Sequence, residues 1–197
     1  MHVLLLRPIP GNERFGLGPF FRIEPLGMEY IAAALEARGH DVTLVDLRFG
    51  RPLDHYLRQR PALVGIAAMH ALETENVLQL AARIRRALPD VTLIVGGHTA
   101  AAYPQPFSRA GIDAVVLDDG ERAVPAIADA IDAGQSLSAV PGLAVAAGRR
   151  QQIDDVGVEL QPAQTGGRAG DNDQRQRKHQ PPPTVRPEDD GFDRRRH

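Results

Sequence analysis

Three short segments carry the side chains that could do chemistry: Ala67-Ala68-Met69-His70, Gly96-Gly97-His98-Thr99 and Asp118-Asp119-Gly120-Glu121. Each follows a run of apolar residues, as expected where a buried strand meets solvent. His70, His98 and Glu121 are the groups able to carry a proton, and together they would suit a small-molecule enzyme working by general acid–base catalysis. Singly, each histidine reads as a polar edge residue. Two histidines without a nearby third ligand make a poor metal site, so no metal ligands are assigned. The Gly96-Gly97 pair would let a ligand approach the backbone closely, and it reads equally as a tight turn. Asp118, Asp119 and Glu121 open a helix, where the positive end of the dipole favours negative charge, and capping accounts for them without a ligand.

Composition excludes several classes. The 197 residues contain no cysteine, which removes disulfides, a thiolate nucleophile, Cys-ligated zinc and a Cys-held iron–sulfur cluster. The lack of disulfides fits a cytoplasmic location. A formal net charge of -2 leaves no electrostatic footprint for nucleic acid. No apolar run approaches the roughly 20 residues of a transmembrane helix, and Met1-His2-Val3-Leu4-Leu5-Leu6 lacks the charged opening and cleavage site of a signal peptide. There is no phosphate-loop motif of the G-x-x-x-x-G-K type, and Gly16-Leu17-Gly18-Pro19-Phe20-Phe21 fails the dinucleotide fingerprint at its last position. Pro8 and Ala67-Ala68 stand where a phosphoacceptor receiver domain needs its acidic residues.

The elements that must position the three segments alternate regularly. His2–Arg7 is an apolar run too short for a helix, as for a strand buried on both faces. Leu26, Tyr30, Ile31, Ala34 and Leu35 form a helical stripe that Gly39 would end. Val42–Asp46 is a second strand, Leu53–Gln59 a short helix and Leu63–Ala67 a third strand. Val77, Leu80, Ala81, Ile84 and Leu88 mark an amphipathic helix with Glu73 and Glu75 near its start and Pro89 at its end. Val91–Val95 and Ala114–Leu117 are strands four and five, and Val124, Ile127, Ala128 and Ile131 a last helical stripe. This pattern predicts a three-layer α/β/α sandwich around a flavodoxin-like (Rossmann-like) parallel five-stranded sheet. In that class ligands bind beyond the carboxyl ends of the strands, which is where the three segments fall.

The link after strand one, Pro8 to Glu24, has seventeen residues and holds Phe15, Phe20 and Phe21. Such loops usually have about 2–6 residues. Its rings suit either a cover for a large flat ligand or packing onto the domain itself. The domain is placed at residues 1–150, with a residual segment at 151–160. From Gln161 to His197 only Ala163, Ala169, Val185 and Phe192 are apolar, against fourteen charged residues and five prolines. Ordering a residue costs about 1–2 kcal/mol and each apolar side chain returns about 1.5–3 kcal/mol at best. A disordered, solvated Arg/Gln/Pro-rich tail is therefore expected.

Taken together, the edge segments resemble the cobalamin-binding domain of B12-dependent radical SAM proteins. The residues that carry the likeness are Glu24-Pro25-Leu26-Gly27-Met28-Glu29-Tyr30 with Gly39-His40-Asp41-Val42, then Val64–His70, Val95–Thr99 with Tyr103-Pro104, and Asp118–Arg122 with Pro125. Pro141-Gly142-Leu143-Ala144 resembles the short strand that closes such domains. The variants Ala-Met-His and Gly-Gly-His-x-Ala-Ala-Ala-Tyr-Pro look most like the hopanoid C-3 methylase type. The resemblance implies a cobalamin cofactor whose nucleotide tail lies along Ala67, Ala68, Met69, His70, Gly96, Gly97 and His98, with Thr99 also in the cofactor-binding set. It places Pro8, Pro25, Leu26 and Gly27 by the corrin and adds Gly120 and Glu121 to the cofactor-binding set.

Two departures qualify what the likeness implies. No D-x-H occurs, so no protein histidine is assigned to cobalt. The family's catalytic half needs three cysteines for a 4Fe–4S cluster that cleaves S-adenosylmethionine, and this chain has none. The expectation is a truncated or frameshifted relative, non-catalytic alone, for which a separate radical SAM subunit is one candidate partner. The alternatives are a degenerate α/β module serving protein contacts, and the His70/His98/Glu121 enzyme.

Overall fold

Strand β1 (His2–Arg7) buries Val3 to Leu6 completely or nearly so, because it lies inside a sheet covered on both faces. The computed structural model describes residues 1–9, 24–109 and 111–145. After β1 come α1 (Leu26–Glu36), β2 (Asp41–Asp46), α2 (Leu53–Leu57), β3 (Leu63–Ala67) and α3 (Thr74–Ala87). There follow β4 (Thr92–Gly96), α4 (His98–Ala102), β5 (Ala114–Val116), α5 (Gly120–Asp132) and β6 (Leu143–Val145). The strand order is β2-β1-β3-β4-β5-β6. The pairings among β1 to β5 are parallel and β5–β6 is antiparallel.

The predicted sandwich is present, with one correction to its sheet: there are six strands rather than five, and the last is antiparallel. The segment after α5 returns to the carboxyl edge before it enters the sheet. Gly142 O accepts from Leu117 N at 2.8 Å, and Leu143 then pairs with Val116 as the strand runs back down.

Strand periodicity divides the core into two layers. Leu4, Leu6, Val64, Ile66, Leu93, Val95 and Val115 face Leu53 and Leu57 of α2 and Val77, Ala81 and Ile84 of α3. On the other face Val3, Leu5, Leu63, Ile94, Ala114 and Val116 meet Leu35 of α1 and Val124, Ile127 and Ala128 of α5. Arg85 ties the base of the first layer together. It donates to Pro89 O, Val91 O and Gly111 O at 2.7–3.0 Å and to the buried Asp113 carboxylate at 2.7 Å. Asp113 also accepts from Leu93 N at 2.8 Å.

Three expectations change in detail. The buried side of α1 is formed by Met28, Ile31, Ala32 and Leu35, whereas Leu26 and Tyr30 are exposed. The helix packs against both β2 and α5, and the face that meets them does not include those two residues. Residues 98–102, assigned to no element from the sequence pattern, form α4. Gly97, at φ +104°, makes the turn that starts it, three alanines favour the helix, and Ala100 packs into the first layer. The short helix α2 stops at Leu57, two residues before the predicted end.

Among the described residues no helix is long and apolar enough to cross a membrane. Phe15, Phe20, Phe21, most of the Pro8–Glu24 link and the proposed tail lie outside the described residues.

Candidate functional site

The chain crosses back over β1 between β2 and β3, so the carboxyl ends of β1 and β3 diverge at the topological switch point of the sheet. A cavity of about 700 Å³ opens there and runs along the carboxyl ends of β3, β4 and β5, between the first turns of α1 and α5. Pro8, Pro25, Leu26, Gly27, Ala67, Met69, His70, Gly96, Gly97, His98, Gly120 and Glu121 all line it.

Ala68 and Thr99 do not belong to the lining. Ala68 is completely buried and Thr99 nearly so, each turned into the protein. Their backbones brace the floor instead: Ala68 N donates to Gly96 O at 2.7 Å and Thr99 N to Ala68 O at 3.0 Å. A Cβ on Gly97 would stand 2.8 Å from Ala68 O, so this corner accepts only glycine.

The sequence reading missed the floor. Leu5, Gly65, Ile94, Val116 and Val124 line the cavity from below and are buried. The signal was the strand period of two. Gly65 and Ala67 share one face of β3, and Gly96 shares that face on β4, so small side chains cluster where α1 and α5 part. A Cβ on Gly65 would lie 3.0 Å from Leu5 Cδ2, and one on Gly96 3.3 Å from Val116 Cβ. Both glycines therefore let the neighbouring strand's side chain lean in while the floor stays low. Gly27 differs: no heavy atom lies within 4 Å of its Cβ position, so any side chain there would enter open space at the cavity mouth.

The rim is acidic, with Glu24, Glu73, Asp118, Asp119 and Glu121. Glu73 Oε2 accepts from Met69 N and His70 N, both at 3.3 Å, which holds the turn after β3. Capping, the sequence-based account of the acids at α5, is not how Asp119 is used: it is the N-cap residue, yet its side chain makes no cap hydrogen bond.

At the β1 end Arg7 lines the cavity with its guanidinium 3.7 Å from Asp46. Burial would raise the Asp46 pKa, but hydrogen bonds from Arg48 N and Nε at 2.9–3.0 Å, with the charges of Arg48 and Arg7, outweigh it and hold the carboxyl below its ordinary range. Arg48 is in turn held more firmly protonated by its hydrogen bonds to Asp46.

His70, His98 and Glu121 share the rim, but among the described residues no hydrogen bond or ion pair links them. No group of three potential metal ligands occurs among those residues either. A second, more open depression of about 900 Å³ lies among Arg58, Arg60, Ala62, Pro89 and Thr92 at the opposite edge, and holds none of the predicted residues.

The B12 binding domain family model matches residues 19–128. The chain belongs to the B12-binding domain family. Cobalamin is the cofactor that this membership assigns, and the cavity is suited to it: an apolar floor for an aromatic base, and a mouth kept open by Gly27, Ala67, Gly96 and Gly97.

This B12-binding domain is 30% identical over 131 residues to the hopanoid C-3 methylase of Methylococcus capsulatus, covering 63% of this chain and 25% of that protein. It is 29% identical over 171 residues to the anaerobic magnesium-protoporphyrin IX monomethyl ester cyclase of Synechocystis, covering 83% of this chain and 33% of that protein. The chain thus spans about a quarter to a third of these relatives. Among solved structures it resembles the radical S-adenosylmethionine methyltransferase TsrM from Kitasatospora setae with cobalamin and a 4Fe–4S cluster bound. That likeness has a TM-score of 0.65 and 26% identity, and covers 75% of this chain and 27% of that one. OxsB, with aqua-cobalamin bound, shares the fold at a TM-score of 0.57 and 16% identity.

Proposed function

We propose that this chain is a cobalamin carrier, holding the cofactor across the cavity at the carboxyl edge of its sheet. The observation that supports this best is the cavity itself, a low apolar floor over β3 and β4 with a glycine-lined mouth. The nucleotide tail would run past Ala67, Met69, His70, Gly96, Gly97 and His98 over that floor. Pro8, Pro25, Leu26 and Gly27, with Gly120 and Glu121 opposite, would border the corrin. When bound, cobalamin supplies cobalt-centred methyl-carrier chemistry. The residues of this chain bind and orient it, and the packed floor excludes water from beneath it.

Cofactor binding is assigned to residues 1–150. The 197 residues offer no cysteine to a 4Fe–4S cluster. These residues therefore hold no such cluster themselves, and S-adenosylmethionine cleavage would fall to a radical SAM domain outside them. Mixing the purified chain with hydroxocobalamin and then desalting tests the binding. A corrin spectrum that travels with the protein is the expected result. Free protein at high micromolar cobalamin would end this reading.

A further inference from the structure

The cavity is graded in polarity, and the grading bears on which cobamide it accepts. Cobamides share one corrin and differ in the base that ends the nucleotide tail. Some carry the largely apolar dimethylbenzimidazole, and others carry adenine, which adds an exocyclic amine and further ring nitrogens.

The floor side chains Leu5, Ile94, Val116 and Val124 have no polar atom, and Gly65 has no side chain at all. The backbone there is committed as well. Gly65 pairs with Leu5 on one side and Ile94 on the other, inside a strand flanked on both edges. Every carboxylate and imidazole of the lining is instead at the rim, half-buried or exposed, and its guanidinium, that of Arg7, is half-buried and held by Asp46 at the β1 end. A base lying on this floor would find contact for its rings and methyl groups, and no partner for extra donors or acceptors. Polar groups that lose water without gaining a partner are costly.

We propose that the floor selects cobamides by the polarity of their lower base, accepting the benzimidazole type and rejecting the adenine type. This rests on the cobalamin reading above. Three ligands with the same upper ligand and cobalt oxidation state separate the outcomes: cobalamin, its adenine analogue, and cobinamide, which has no nucleotide tail. Dissociation constants come from equilibrium dialysis of the full chain, read by corrin absorbance. Cobalamin should bind at least about tenfold more tightly than the adenine analogue, and more tightly than cobinamide. Equal affinity for the two bases would overturn the selectivity. Cobinamide binding as tightly as cobalamin would overturn the placement of the tail on the floor while leaving corrin binding intact. Failure of all three at high micromolar concentration would overturn the cobalamin reading together with this one.

Discussion

Gly27 occupies the first turn of α1, outside the left-handed region, with open space where a side chain would stand. On backbone grounds it is a poor residue for a helix. Glycine there costs about 0.5–1 kcal/mol relative to alanine. Gly27→Ala should therefore stabilise the cofactor-free protein by that amount, a rise in melting temperature of about 1–4 °C for a domain of this size. Gly27→Trp probes the mouth directly. An indole carries about 150–250 Å² of surface, and at roughly 25 cal/mol per Å² its complete burial in the cavity would be worth about 4–6 kcal/mol. Even about 2 kcal/mol of that, which an incoming corrin must displace, weakens binding roughly thirtyfold. Corrin absorbance under equilibrium dialysis reads the affinity, and far-ultraviolet circular dichroism with a thermal melt reads the fold. A Gly27→Trp chain that keeps both its fold and the parental affinity refutes the placement of cofactor against α1. A Gly27→Ala chain that melts lower refutes the claim that the glycine is dispensable to the backbone.

Other perturbations follow from the same packing. Arg85→Ala leaves Asp113 buried without its guanidinium and takes one donor from the carbonyls of Pro89, Val91 and Gly111, so urea denaturation should show a loss of about 3–5 kcal/mol. Asp46 has its pKa lowered on folding. The stability it contributes is complete above the ordinary carboxylate range and is lost as pH falls through its folded value. The acid limb of a stability–pH profile should accordingly flatten in Asp46→Asn, and an unchanged limb would contradict the assignment. Gly39 ends α1 at φ +83°, where Gly39 N donates to Glu36 O and His40 N to Leu35 O. Alanine meets no atom there, so the expected cost of about 1–2 kcal/mol is backbone strain alone, and thermal melts can check it.

Much of this architecture is legible in the chain because its signals are local. Leu63–Ala67 reads as a buried strand from an unbroken apolar run, and Val77, Ala81 and Ile84 mark the face of α3 by their spacing. The direction of β6 is not legible, because three residues cannot say from which edge the chain re-enters the sheet. Leu26 and Tyr30 mislead since apolarity alone does not distinguish a core position from a rim position. The cleft segments are recognisable by their place after strands, yet Ala68 falls outside the lining because it continues the β3 alternation into the first core layer, and Thr99 because the turn at Gly97 directs it inward. The floor stays hidden for the opposite reason. Leu5, Ile94 and Val116 look like ordinary core residues, and only the parting of α1 and α5 above them makes them a surface.

The leucine triplet of β1 has a consequence for how the strand finds its place. Because Leu4 and Leu6 serve one core layer and Leu5 the other, sliding the strand by one position exchanges leucine for leucine and costs little in apolar burial. Greasiness alone therefore carries almost no register information here, and the information must come from the two ends. His2 meets Thr43 Oγ1 at 3.1 Å and Arg7 reaches Asp46, so the two polar ends act as end-stops on β2. They also fix the residue that follows. Pro8 follows directly on Arg7 and lines the cavity, so the alignment of β1 on its neighbour sets where this part of the mouth stands.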